Sequence, residues 1–276
     1  MAAPDSRTAI RYTPPMNLLV LEPFEVDVPL PRADRRVEHV RKVLKKTVGD
    51  LVAAGIAGGP EDPCPLGTAR VESWDGSVMS FSFEPKTAAP PLRPVELLLG
   101  FPRPIQANRI LKDLASLGVR RIRMAATALG EKSYAESSIF KDKEFRRPLL
   151  EGAEQAGNPR LPLVEVYPTL TSGLASLSPL ADGEERWALD PYRSNLRFGS
   201  AFGDEDQGNG RGAPVRDAAP TSILLAVGSE RGWTEAELDA LARSGFRFAS
   251  LGDRILRTET ACCAAVSIAL AALGLL

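Results

Sequence analysis

Short apolar runs alternate with turn residues along the first third of the chain. The stretches MNLLVLE, LVAAGIAG, GTARVES and SVMSFSFE mix two-residue alternation with brief apolar runs, and Gly, Pro and Asp separate them. That is the pattern of short strands joined by tight turns, and a small β-barrel is the predicted arrangement. Between the first two stretches, VEHVRKVLKKTVGD is a short basic segment with Val40, Val43 and Leu44 on one side and a turn at Gly49 and Asp50. EPKTAAPPLRP, residues 84–94, is proline-rich and reads as a linker.

Beyond it the rhythm changes. VELLLGF reads as a strand, ANRILKDLASLG as a helix stopped by Gly118, RRIRMAAT as a strand, and KEFRRPLLEGAEQAG as a helix that starts or breaks near Pro148. LPLVEVY, RWALD and SILLAVG follow as strands, and TEAELDALARSG as a helix. This alternation predicts an α/β fold with a parallel sheet covered by helices. Residues 193–220 interrupt it with a glycine-rich stretch too polar to pack, which reads as a flexible, disordered insertion or, on the functional alternative, as a mobile loop or lid.

The length of 276 residues suits two domains, expected at 14–88 and 93–276. A formal net charge of -1 excludes a uniformly basic coat. The charge is nevertheless segregated. Residues 31–46 carry seven basic side chains against two acidic ones, and residues 103–123 carry six against one. Three cysteines, two of them adjacent, make no disulfide framework, and with one histidine and no paired cysteine spacing no metal site is expected. No secretory signal is read at the N-terminus, so a cytoplasmic location is expected. The apolar tail from Ala261 to Leu276 is shorter than the ~20 residues of a bilayer span. A helix packed in part against a second subunit is the better reading, and no membrane is expected as a partner.

ILLAVGSERGWTEAELDALARSGF contains a strand ending at Gly228, a short turn, and a capping box of Thr234 and Glu237. Such a turn at the carboxyl end of a parallel strand offers free backbone groups to a ligand, although many α/β proteins have one for structural reasons alone. FRFASLGDRILRTETA repeats the arrangement, with a helix starting at Thr258 or Glu259. Two neighbouring strand ends of this kind would make a cleft.

LGDRILRTETA resembles the closing signature, L-G-x-R-I-L-R-x-E-T-A, of the RsmE family of 16S ribosomal RNA uracil-N3 methyltransferases in the SPOUT superfamily. VGSERGWTEAEL is similar to the family's G-P-E-G-G turn, EGAEQAGNPRLPLVEV to its E-A-x-E-Q stretch, and HVRKVLKKTVGD to an element of its N-terminal PUA-like barrel. The resemblance implies a C-terminal parallel-sheet domain tied in a deep trefoil knot, S-adenosylmethionine as cofactor, a homodimer, and structured RNA, 16S rRNA of the small ribosomal subunit, as partner. The strand VELLLGF runs into GFPRPIQ and not into a glycine-rich turn, which also favours the knotted class over a Rossmann-type methyltransferase.

Carried over residue by residue, the resemblance places the cofactor against Asp190, Pro191, Val227, Gly228, Ser229, Glu230, Gly232, Leu251, Gly252, Ile255, Leu256 and Thr258. Methylation at N3 calls for a cation beside the developing uracil anion. Arg257 is the candidate, oriented by Glu259 unless the two form only a structural ion pair. Arg35, Arg36, His39, Arg41, Lys42 and Lys45, with Gln155 and Arg160, are the candidates for binding RNA. Ser229, Arg231, Asp113, Ser116 and Lys132 depart from the family pattern. The rival readings are an RNA-binding protein that keeps the fold without turnover, and a membrane-associated protein using the tail.

Overall fold

The computed structural model describes residues 18–134, 136–142, 144–202 and 219–276. Residues 14–17 of the expected first domain and 203–218 of the expected insertion lie outside the described residues. The N-terminal part is a five-stranded sheet built from β1 (Leu19–Leu21), β2 (Leu30–Pro31), β3 (Leu51–Ile56), β4 (Pro65–Trp74) and β5 (Val78–Ala88), in the order β1-β3-β4-β5-β2. Only β1 and β3 run parallel; the other neighbours are antiparallel. Alternation sends Val52, Ala54, Met79 and Phe81 to the inner face, as a half-buried sheet requires. Helix α1 (Arg35–Glu38) and a π-turn (His39–Val43) close that face with Val37 and Val40.

Val43, expected beside Val40 and Leu44, is exposed. The wider winding explains this. Leu44 donates its N–H to the His39 carbonyl, five residues back, so a residue three positions on no longer overlies its predecessor. The expected linker is also largely a strand. β5 continues through Ala88, and Pro85 sits where the β4–β5 register shifts opposite Gly67. A bulge tolerates the missing proline N–H, and a Cβ at Gly67 would collide with the Glu84 carbonyl.

The second part is a six-stranded, wholly parallel sheet: β6 (Arg93–Gly100), β7 (Val119–Ala125), β8 (Leu163–Tyr167), β9 (Glu184–Leu189), β10 (Ser222–Val227) and β11 (Arg247–Ala249), in the order β11-β9-β10-β6-β7-β8. Val95, Leu97, Leu98 and Leu99 of β6 are all fully buried, because helices cover both faces. Leu97 and Leu99 face α2 (Pro104–Ser116), α4 (Arg146–Ala156) and α7 (Thr258–Ala272). Leu98 faces α5 (Leu170–Ala175) and α6 (Glu235–Arg243). A short α3 (Ser138–Lys141) and α5 add two helices that the apolar pattern does not announce.

Local signals set the helix ends. Pro104 opens α2 at its first turn, Gly157 closes α4 in the left-handed region, and Thr234 with Glu237 forms the expected capping box on α6. In α7 the buried positions Cys262, Ala265, Val266, Ala269 and Leu270 define one helical face, which packs on α2, β6 and β10. No helix among the described residues is long and apolar enough to cross a membrane.

The start of the 193–220 stretch does pack, contrary to expectation. Phe198 is fully buried, and Phe198, Phe202 and Trp187 form a cluster of edge-on rings with centroids 5.1–5.9 Å apart. Two aromatic residues in an otherwise polar run suffice to anchor it. Phe198→Ala is expected to cost ~3–5 kcal/mol of stability in urea unfolding. A loss below about 1 kcal/mol would mean that the segment is not part of the core.

Candidate functional site

The ends of β9, β10 and β11 surround a cavity of about 310 Å³ at the carboxyl edge of the parallel sheet. All twelve residues expected to hold a cofactor line it, joined by Leu189, Tyr192, Arg231, Trp233, Arg254 and Ala261. Each wall has a local cause. Buried Asp190 accepts the N–H groups of Tyr192 (2.8 Å) and Arg193 (2.7 Å) at Oδ1, fixing the Pro191 turn. Its own N–H donates to the Ala249 carbonyl. Gly232, at φ +73°, donates its N–H to the Ser229 carbonyl at 2.9 Å, and a Cβ at Gly228 would lie 3.1 Å from Gly232 Cα. These glycines let the turn fold back tightly and leave its backbone facing the cavity.

The lining is mixed in character. Val227, Leu251 and Leu256 offer apolar surface, while Tyr192 and Ile255 stand exposed at the rim. Ser229 Oγ and Trp233 Nε1 are buried there without hydrogen-bond partners. Buried polar atoms are rarely left unpaired, and these two suit a ligand with both a flat apolar body and polar edges. Glu230 turns away from that role, since its Oε1 accepts the Arg103 N–H at the start of α2 (3.0 Å). Trp233 and Tyr192 escaped the sequence reading. Trp233 lies inside the motif VGSERGWTEAEL and Tyr192 directly follows Asp190 and Pro191, which is the signal that marks them.

Arg257 and Glu259 flank the cavity without lining it. Arg257 is the exposed, extended N-cap residue of α7, and no ion pair joins it to Glu259. Side chains two apart at a helix start do not face each other, so Glu259 does not orient Arg257. Glu259 Oε2 is instead buried without a partner.

The RNA candidates divide into two groups. Arg35, Arg36, His39 and Gln155 line a cavity of about 390 Å³ between α1 with its π-turn and helices α2 and α4, together with Lys112, Glu151 and Glu154. Arg35 chelates Glu154, with Nη2 to Oε1 at 3.0 Å. Burial raises the Glu154 carboxyl above its usual range in spite of that pairing. Arg41 stacks over Trp74 at 4.2 Å, Lys42 pairs with Glu38, and Lys45 is exposed.

Arg36 and Arg160 are engaged within the fold. The Arg36 guanidinium bonds to Glu25, Asp34 and the Val20 carbonyl. Arg160 donates to the carbonyls of Pro60 (2.7 Å), Asp62 (2.8 Å), Gly59 and Ala89. The second basic run is likewise mostly paired: Arg120 with Glu61, and Arg121 and Arg123 with Glu96 and Glu165. Sequence charge counts cannot register carboxylates supplied from distant strands.

Against this geometry the comparisons are specific. A family model for the RNA methyltransferase domain matches residues 89–270. The ribosomal RNA small subunit methyltransferase E of Treponema pallidum is 34% identical over 262 residues, covering 93% of this chain and 91% of that protein. The chain belongs to the RsmE family. A second RsmE relative, methyltransferase E 1 of Borreliella burgdorferi, is 28% identical over 250 residues, covering 91% of this chain and 95% of that protein. In fold, the RsmE chain resembles the Neisseria gonorrhoeae methyltransferase E crystallised with S-adenosyl methionine. The TM-score is 0.66 and the identity 21%, over 93% of this chain and 97% of the other.

The Arg36 knot carries a pH signature. Burial works to raise the carboxyls of Asp34 and Glu25, but hydrogen bonds and charge from Arg36 outweigh it and hold both below their ordinary values. A carboxyl depressed in the folded state adds stability that is full above the unfolded pKa and lost as pH falls through the folded one. Stability should therefore decline below about pH 4. Arg36→Ala is expected to cost ~3–5 kcal/mol at pH 7 by stranding two carboxylates, and to flatten that acid limb. Urea titrations at pH 3 to 7 measure both effects.

Proposed function

We propose that this protein transfers a methyl group from S-adenosylmethionine to N3 of a uridine in 16S ribosomal RNA of the small subunit. The observation that carries the reading is the convergence of all twelve cofactor candidates on one cavity in a chain of this family. The glycine cradle at 228–232 and the orphaned Ser229 Oγ and Trp233 Nε1 fit a nucleoside cofactor. When bound, S-adenosylmethionine supplies a methyl group activated by a sulfonium. The turns at residues 190–191, 228–232 and 251–256 would hold that donor, and the chain's own part would be to align the base with it and to ease loss of the N3 proton. Arg257, beside the cavity walls Leu256 and Thr258, stabilises the uracil anion. Arg35, His39, Arg41, Lys42, Lys45 and Gln155 dock the RNA.

The N-terminal sheet is read as a PUA-like barrel and the parallel-sheet part as a SPOUT domain with a trefoil knot, divided at 14–88 and 93–276. Support for the knot comes from Ser250. Its N–H donates to Leu196 and its carbonyl accepts from Phe198, while β9 pairs on the other side of β11. The chain from 190 to 196 therefore crosses the end of β11, and residues 251–257 must pass that crossing to reach α7. Support for a homodimer comes from α7, where no charged side chain lies between Ala261 and Leu276 and residues such as Ala264 and Ile268 are only partly covered. A cytoplasmic location accords with a ribosomal substrate.

Mass mapping of methylated uridines in ribosomal RNA, with and without the gene, tests the reading directly; an unchanged map would sink it. In purified protein, Gly232→Val should abolish calorimetric S-adenosylmethionine binding without unfolding, because φ +73° is closed to β-branched residues and its side chain would enter the cavity. Replacing Arg41, Lys42 and Lys45 by Ala should weaken RNA binding and reduce the log–log salt slope by roughly 0.7–0.9 per lost phosphate contact, leaving cofactor affinity intact. Arg257→Ala should bind RNA yet lose methyl transfer at saturation. Full turnover in that variant would remove Arg257 from the mechanism.

A further inference from the structure

A second cavity lies along the same carboxyl edge, over the ends of β6, β7 and β8, with a volume of about 590 Å³. Phe101, Ala126 and Leu170 form an apolar floor, and Thr127, Lys132 and Thr171 bring polar groups to it. That size lies within the ~300–1,000 Å³ of small-molecule sites. Thr127 Oγ1 is buried with no hydrogen-bond partner, and Lys132 has no ion pair among the described residues. Thr169 is taken up in capping α5 with Ser172, Glu237 accepts from Ala128 and Thr234, and Glu131 stands exposed at the mouth beside Lys132.

This cavity and the cofactor candidate site are neighbours through one residue. A Cβ built on Gly100 would lie 3.0 Å from Thr127 Cγ2 and 2.6 Å from the Ser229 nitrogen, so a residue of each lining approaches the other at that glycine. Trp233 lines the first and Thr234, the next residue, lines the second. A uracil N3 lies on the Watson–Crick edge and is reached only when the base is unpaired and turned out of its stack. Such a base needs its own chamber within reach of the methyl donor.

Resting on the function proposed above, we propose that the cavity over β6, β7 and β8 receives the target pyrimidine. Its ring lies on the floor of Phe101, Ala126 and Leu170. Thr127 Oγ1, able to donate and accept, meets its hydrogen-bonding edge. Lys132 offsets negative charge at the mouth. The match is to a pyrimidine, with its polar edge and flat apolar faces, and not to a bare phosphate, for which an apolar floor has no use.

The test fills the chamber from a position that does not disturb the core. Ala236 is exposed on the first turn of α6 and lines the cavity, whereas Ala242 is exposed on the same helix and does not. Ala236→Trp should leave calorimetric S-adenosylmethionine affinity unchanged and lower kcat on small-subunit ribosomal RNA by about a hundredfold or more through misplacement of the base. Ala242→Trp should keep wild-type turnover. Independently of turnover, ribosomal RNA carrying 4-thiouridine should crosslink on irradiation to residues 126–132, and Ala236→Trp should abolish that crosslink. Undiminished kcat in Ala236→Trp, or crosslinks confined to other segments, would overturn the pocket while leaving the methyltransferase reading in place. Crosslinks at 126–132 in a wild-type protein with no methyl transfer would uphold the pocket and overturn the enzyme.

Discussion

The carboxyl edge of the parallel sheet depends on what Asp190 does at the end of β9. Its carboxylate holds two successive N–H groups and its own N–H ties to Ala249, so the chain turns sharply and crosses the end of β11. Leu196 and Phe198 then bind the far side of Ser250. Arg193 clamps the same crossing from outside, with ion pairs to Glu235 and Asp239 and its guanidinium over the Phe248 ring. A single buried carboxylate thus shapes the wall of the cavity and the start of the crossing segment. Replacing it would strip two backbone donors of their acceptor at once.

The parallel sheet and its helices were legible in the sequence because their signals are local. The apolar runs of β6 and β10, the Thr234 capping box and the start of α7 at Thr258 all lie where the pattern puts them. The cavity lining was legible for another reason, the resemblance of short motifs, since nothing in spacing alone brings residue 190 beside 228 and 252. What escaped were features created by distant partners. Arg36, Arg160, Arg121 and Arg123 read as free positive charge, yet carboxylates and carbonyls from other strands occupy them. Phe198 read as part of a polar stretch because its ring partner Trp187 stands on another strand.

Charge on this molecule consequently divides by exposure more than by sequence position. Buried arginines organise loops and strand ends, where the fixed fork of a guanidinium satisfies several acceptors at once. The N-terminal part keeps exposed cations at Arg32, Lys42, Lys45, Arg70 and Lys86, and Arg41 is held over Trp74, a geometry that presents a flat charged face.

The join between the two sheets has a thermodynamic consequence. Arg160 bonds to carbonyls of the loop after β3 and to Ala89, Leu161 donates its N–H to the Gly58 carbonyl while Gly58 donates its own to Pro159 across the same seam, and Arg146 pairs with Glu22. Leu18, Val20 and Leu66 belong to the same buried cluster as β6, α2 and α7. Each sheet has a buried cluster of its own, and both contribute to this shared one. Separating them would expose apolar surface and strand buried hydrogen-bond donors together, so the two parts are bound to melt in a single cooperative transition. Two architectures of different kinds therefore form one thermodynamic unit, in which disturbing either sheet destabilises the other.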